Sequence, residues 1–191
     1  MRVRNSTLLA ACLILGASGA RGEGKKPSFE EWFPKLRPGT WVKVEGRMDD
    51  KGALYAEELR ILDGDLDESE LESRVAAVDS VQRTLRTTFG TEVLATLKTE
   101  MRGPKKARPS FAGLRAGDRI DVEGHLQKDG RLQADEIKVK KPRSHEDGEA
   151  DEDQKVKGRI ESVDAKEKKI VLLGVTVRFD ERTKNKTPVL D

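Results

Sequence analysis

Three alternating carboxylates come first. Asp63, Asp65 and Asp67 in "DGDLDESELE" have the spacing that opens a calcium loop, where carboxylate oxygens hold a hard cation. The rest of such a loop is missing: Glu68 stands where the turn needs glycine, and Arg74 stands where a bidentate carboxylate belongs. No metal and no cofactor is assigned. His125 and His145 are the two histidines, and neither has a partner at fixed spacing. The chain has no HExxH, no phosphate loop and no serine elbow. Nothing pairs any two of its many carboxylates in a cleft. The expectation is a protein that is not an enzyme and has no catalytic residue.

Binding chemistry has two candidate groups. Trp41 and Tyr55 lie on one predicted hairpin, at positions where its repeat carries Arg119 and Gln133. An exposed aromatic pair there would stack a sugar; the alternative is that both rings pack against neighbouring structure. The second group is "KTEMRGPKKARP", residues 98–109, where Lys98, Arg102, Lys105, Lys106 and Arg108 face the single acid Glu100. Read as a loop before a helical turn, this run would attract an anionic polymer, lipid headgroups or an acidic envelope protein; its plainer reading is a solvated loop.

The first twenty residues set the compartment. Arg2 and Arg4 precede the apolar run "LLAACLILGASGA", which is too short to span a bilayer, and Ser18 and Ala20 suit signal peptidase. This predicts a cleaved export signal, cut after Ala20, and a periplasmic or secreted protein with no transmembrane segment in the mature chain. Cys12 in "LAAC" offers the alternative of a lipidated N-terminus, against which the apolar run continues past the cysteine. Without lipidation the mature chain has no cysteine and no disulfide. Removing Arg2 and Arg4 from 37 basic residues leaves 35, equal to the 35 acidic ones. A neutral chain argues against nucleic acid as partner.

The elements that must position these residues are repeated. At an offset of 78 residues, Leu36, Gly39, Val44, Gly46, Gly52 and Leu54 recur as Leu114, Gly117, Val122, Gly124, Gly130 and Leu132. Apolar residues alternate with polar ones in each copy, and "DKG" and "KDG" make the turns, so each copy reads as a two-stranded hairpin. Gly46 and Gly124 interrupt a strand at matching places, the mark of a bulge or sharp coil. A second unit also occurs twice: Arg74, Val75, Val78 and Asp79 match Arg159, Ile160, Val163 and Asp164. Each copy reads as three strands, placed at 73–79, 83–89 and 91–97 in the first.

Three strands, the helical turn in "PSFAGLRAG" and two more strands follow the order of an OB-type barrel. The motifs at Arg74 to Asp79, Gly90 to Val93, Leu114 to Gly124 and Asp129 to Ile137 resemble a bacterial family, family 5666 of the domains of unknown function. Two departures are Thr40 in place of the acid found at Asp118, and the missing glycine that Gly158 supplies in the other copy. The resemblance implies OB-like β-barrel repeats and carries no activity.

The expected fold is all-β, with two small OB-like five-stranded barrels, one split and circularly permuted around the other. Residues 21–62 and 155–191 would form the split barrel, 73–141 the central one, and 63–72 and 142–154 acidic linkers after the signal at 1–20. The outer pieces would close on each other, as a monomer, or pair between chains as a head-to-tail oligomer. The functional expectation is an exported, non-enzymatic binding or scaffolding module of the cell envelope, its ligand open. The alternative is an anion- or polysaccharide-binding OB-fold protein.

Overall fold

The computed structural model describes residues 27–49, 51–64, 66–140 and 154–187. The expected export signal with Cys12, most of the linker at 142–154 with His145, the residue Asp65 and the side chain of Lys106 lie outside the described residues. Among the described residues no helix is long and apolar enough to cross a membrane.

The described residues are all-β apart from one helical turn and three 3-10 turns. The chain runs α1 (Phe29–Trp32), β1 (Trp41–Met48), β2 (Leu54–Ile61), β3 (Ser69–Asp79), β4 (Thr84–Thr87), β5 (Glu92–Arg102), β6 (Arg119–Leu126) and β7 (Leu132–Val139). It ends with β8 (Gln154–Arg159), β9 (Ser162–Asp164), β10 (Lys169–Leu172), β11 (Val175–Arg178) and β12 (Lys184–Asn185). The central barrel closes through β3–β4–β5–β7–β6 and back to β3, with β5 and β7 parallel.

The outer pieces form the matching ring. β8 pairs with β1, setting Val42 opposite Gly158 and Val44 opposite Val156. β9, β10 and β11 then lead round to β2, which β11 joins in parallel. Corresponding hydrogen bonds recur at matching places in the two rings. Gly39 N donates to Ile160 O at 2.8 Å, and Gly117 N to Val75 O at 2.8 Å. Gly46 and Gly124 sit at register shifts, and a Cβ on either would lie 2.0 or 2.1 Å from the carbonyl oxygen of Tyr55 or Gln133. Only glycine lets the two backbones approach so closely, which bends the strand into a barrel.

Each ring encloses an apolar core closed by an aromatic plug. Phe111, in the 3-10 turn Phe111–Gly113, closes the central barrel. In the split barrel Phe29 and Phe33 stack at 5.0 Å, and Trp32 and Phe33 meet Phe179 at 6.0 and 5.3 Å.

Two sequence expectations need correction. The acidic stretch 63–72 is not all linker, because β3 begins at Ser69. Ser69, Leu71 and Ser73 alternate inward while Glu70 and Glu72 point outward. This early part of β3 pairs with β8, setting Leu71 opposite Val156, and welds both rings into one 12-stranded sheet. Second, β5 extends to Arg102, so Lys98 and Arg102 belong to a strand and not to the following loop. The strand is interrupted between Ala95 and Glu100 by a bulge, where Thr99 Oγ1 donates to Ala134 O at 2.7 Å.

Candidate functional site

Trp41 and Tyr55 do not form an exposed pair. Tyr55 faces Arg47 across the hairpin, six residues along β1 from Trp41, which is about 20 Å at the usual rise per strand residue. Trp41 is buried at 6% exposure. The Tyr55 hydroxyl donates to the Asp180 carboxylate. That hydrogen bond, with burial second, pushes the phenol up to about 12. Tyr55 thus holds the segment between β11 and β12 against β2.

Trp41 instead lines a cleft at the junction of the barrels, of ≈ 590 Å3, with Leu66, Asp67, Ser69, Leu126 and Arg159. Strand pairing explains the assembly. Trp41 starts β1 opposite Arg159, which ends β8, while Ser69 starts β3 near the end of β6. The Arg159 guanidinium carbon lies 5.6 Å from the centre of the indole ring. Trp41 Nε1 is buried and has no hydrogen-bond partner among the described residues. The cleft therefore combines one indole, two leucines and a guanidinium, an amphipathic lining suited to a ligand with an apolar body and polar groups. Comparison of the two repeats singled out Trp41 but gave no sign of Arg159, Leu66 or Leu126, which converge only through the β3–β8 pairing.

His125 borders this end of the sheet. Its Nε2 is 3.0 Å from Asp135 Oδ2, and its Nδ1 is 2.9 Å from the Asp67 carbonyl oxygen. Both nitrogens are engaged, so the ring ties the start of β3 to β6 and β7. Asp67 lines the cleft while Asp63 is not among its lining residues, and among the described residues no three metal-ligating side chains converge.

The basic run separates in two. Arg102 is held by Glu100 at 3.0 Å and Glu136 at 2.9 Å, and these neighbours absorb its charge. Lys98, Lys105 and Arg108 are exposed. The outward faces of the joining strands carry matched charges as well. Lys155 and Lys157 on β8 hold Glu70 at 2.7 and 3.0 Å, Arg119 holds Glu72 at 2.8 Å, and Lys138 holds Glu123 at 2.5 Å. The ligand face of an OB barrel, its second and third strands, stacks ligands on aromatic rings. Here every ring except the half-buried Tyr55 is buried, so β4–β5 and β10–β11 present no aromatic platform.

Two plugged OB-like rings sharing one sheet define a class of all-β double-barrel protein. The family model described as Domain of unknown function (DUF5666) matches residues 19–60, 73–138 and 157–187, more than half of the sequence, and the chain belongs to that family. The three matched segments coincide with the N-terminal hairpin, the central barrel and the C-terminal strands. No curated protein and no solved structure matches the chain.

Proposed function

We propose that this protein is an exported, non-enzymatic binding or scaffolding module of the cell envelope. The observation that carries this reading is the weld between the barrels. An inserted domain tied to its host by a backbone ladder and by the Glu70–Lys155–Lys157 cluster holds two sets of loops at a fixed separation, as a rigid scaffold requires. Export is supported by the basic, then apolar, then small-residue order of residues 1–20.

A second reading has its own support. The junction cleft, with Trp41 beside Arg159, suits a polysaccharide or an anionic polymer segment better than any other concavity described. One experiment separates the two. In a thermal-shift screen of the exported chain against glycans, anionic polymers, nucleic acids, divalent metals and envelope protein fractions, the scaffold reading expects stabilisation by envelope proteins alone. A glycan or polymer that raises the melting temperature and changes Trp41 fluorescence would replace it with the second reading. Sequencing the N-terminus of the exported chain and labelling Cys12 with palmitate test the compartment.

A further inference from the structure

Val81 and Leu97 are 89% and 92% exposed, far more than Met48 and Leu126, each at 38%. Isolated exposed aliphatics are ordinary on protein surfaces. These two share one end of the central barrel. β4 and β5 are antiparallel with Thr84 opposite Leu94, so the turn before β4 and the bulge after Ala95 lie side by side. Ala95 N donates to Arg83 O at 2.8 Å, and Arg83 Nη2 donates to Thr96 O at 2.9 Å. The Arg83 guanidinium carbon also lies 5.3 Å from the centre of the Phe111 ring, which brings the segment after β5 to the same end.

Both tips are built rigidly. Asp79 Oδ1 accepts from Val81 N and Gln82 N at 2.9 Å each, fixing the turn. Thr99 Oγ1 accepts from Thr96 N at 2.7 Å, fixing the bulge. Neither turn needs an aliphatic residue, and the duplicate barrel demonstrates this. There Lys168 takes the positive φ of Arg83, Phe179 N donates to Lys168 O at 2.9 Å, and Thr183 Oγ1 donates to Ala56 O at 2.8 Å as Thr99 does to Ala134 O. The matching tip residues are Lys166 and Glu181. One barrel carries two aliphatic tips where the other carries two charges.

The surroundings are cationic. Asp79 is occupied by its turn, and Glu100 and Glu136 by Arg102. Lys98 adjoins Leu97 and is exposed, as are Lys105 and Arg108 in the segment leaving β5. Aliphatic side chains on rigid tips with cations beside them match a bilayer bearing anionic headgroups: the tips enter below the headgroups and the cations meet the phosphates. We propose that this end of the central barrel, with Val81 and Leu97 at its tips, Lys98 next to Leu97, and Lys105 and Arg108 in the segment that follows β5, docks on an anionic lipid bilayer. The surface is independent of whatever occupies the junction cleft.

The test is co-sedimentation of residues 21–191, which contain every described element and lack the leading apolar run, with vesicles of phosphatidylglycerol and phosphatidylcholine. Binding to these vesicles, weakened by salt and absent with pure phosphatidylcholine, is expected. The double variant Val81→Ser, Leu97→Ser should lower the partition coefficient about ten-fold or more, since each tip gives up the transfer of an aliphatic side chain out of water. Lys98→Glu with Arg108→Glu should lower it as well, and Lys166→Ser with Glu181→Ser should leave it unchanged. The proposal is overturned by no binding to the anionic vesicles, or by binding that the double serine variant leaves intact. Equal loss of polyphosphate binding in the serine and charge-reversal variants would also overturn it, assigning the surface to anionic polymers.

Discussion

Lys157 and Glu70 stand directly opposite each other in the ladder that joins the two barrels, with Nζ 3.0 Å from Oε1. Lys155 reaches the second carboxylate oxygen at 2.7 Å. The three side chains are about a fifth exposed, at 17–22%, so each is partly screened from water and has its main partner in the other barrel. The weld is therefore electrostatic on its outer face, while Leu71 and Val156 supply apolar contact beneath it.

Glu70→Gln should cost about 1–2 kcal/mol, between the value of an exposed pair and that of a fully buried one. The acid limb follows from the same cluster. Burial alone would raise the Glu70 carboxyl, but hydrogen bonds and attraction from Lys155 and Lys157 outweigh it and hold it below its ordinary 4.5. A depressed carboxyl contributes stability that is present above its unfolded value and is lost as pH falls through the folded one. Denaturant midpoints of the native chain should thus fall below about pH 4.5, and Glu70→Gln should flatten that fall. Parallel curves for the two proteins would remove Glu70 from the account.

Tyr55 is the one tyrosine, so its ultraviolet titration has a single source. Its folded value of about 12 lies above the ordinary 10.0. The stability it contributes is therefore intact below pH 10.0 and lost as pH rises toward about 12. The phenolate signal of the native chain should appear near the upper value, and near the lower one in urea or in Asp180→Asn. Tyr55→Phe should cost about 1 kcal/mol, the net worth of one such hydrogen bond. A native midpoint at the ordinary value would mean the Asp180 contact does not persist in solution.

Two kinds of glycine separate cleanly by substitution. Gly46→Ala and Gly124→Ala push a methyl group to 2.0 and 2.1 Å from a backbone oxygen, which the strand cannot relieve without opening its ladder. Each should cost about 3 kcal/mol or more. Gly39 and Gly117 have φ of +88° and +90° but open space around them, so alanine there should cost only about 1 kcal/mol, the strain of a left-handed backbone. Chemical denaturation of the four variants checks the order, and equal losses would refute it.

Much of this architecture is legible in the amino-acid sequence because it is local. Period-two alternation marks β6 and β7, and Gly46 and Gly124 announce the strand coil through their shared position. The weld is not legible. "SELE" carries the composition of a solvated connector, and its charges gain their meaning only when Lys155 and Lys157, some 85 residues later, lie alongside. The same holds for the cleft: Trp41 stands out as an aromatic residue, but Arg159 and Leu126 become its neighbours through long-range pairing. The aliphatic tips could have been found by laying one repeat on the other, because Val81 and Leu97 replace Lys166 and Glu181 at turns of the same shape.

The last prediction concerns closure of the split barrel. β1 depends on β8, and β2 on β11 and β12, for the second partner of each strand. Thr187 Oγ1 accepts from Ile61 N at 2.9 Å, and Phe179 packs on Trp32 and Phe33. A chain ending at residue 141 loses all of these and leaves a hairpin with open edges and an uncovered apolar face, which is unstable in isolation. The central ring keeps all five of its strands. Amide exchange should therefore show β6 and β7 still protected in the shortened chain while β1 and β2 exchange freely, and a peptide of residues 154–187 should restore their protection. The chain of residues 21–191 should sediment at the mass of a single copy at every concentration, since each described strand finds its partners within the same molecule. A mass that rises in whole-number steps, or protection of β1 without the C-terminal strands, would show that the ring does not close within one chain.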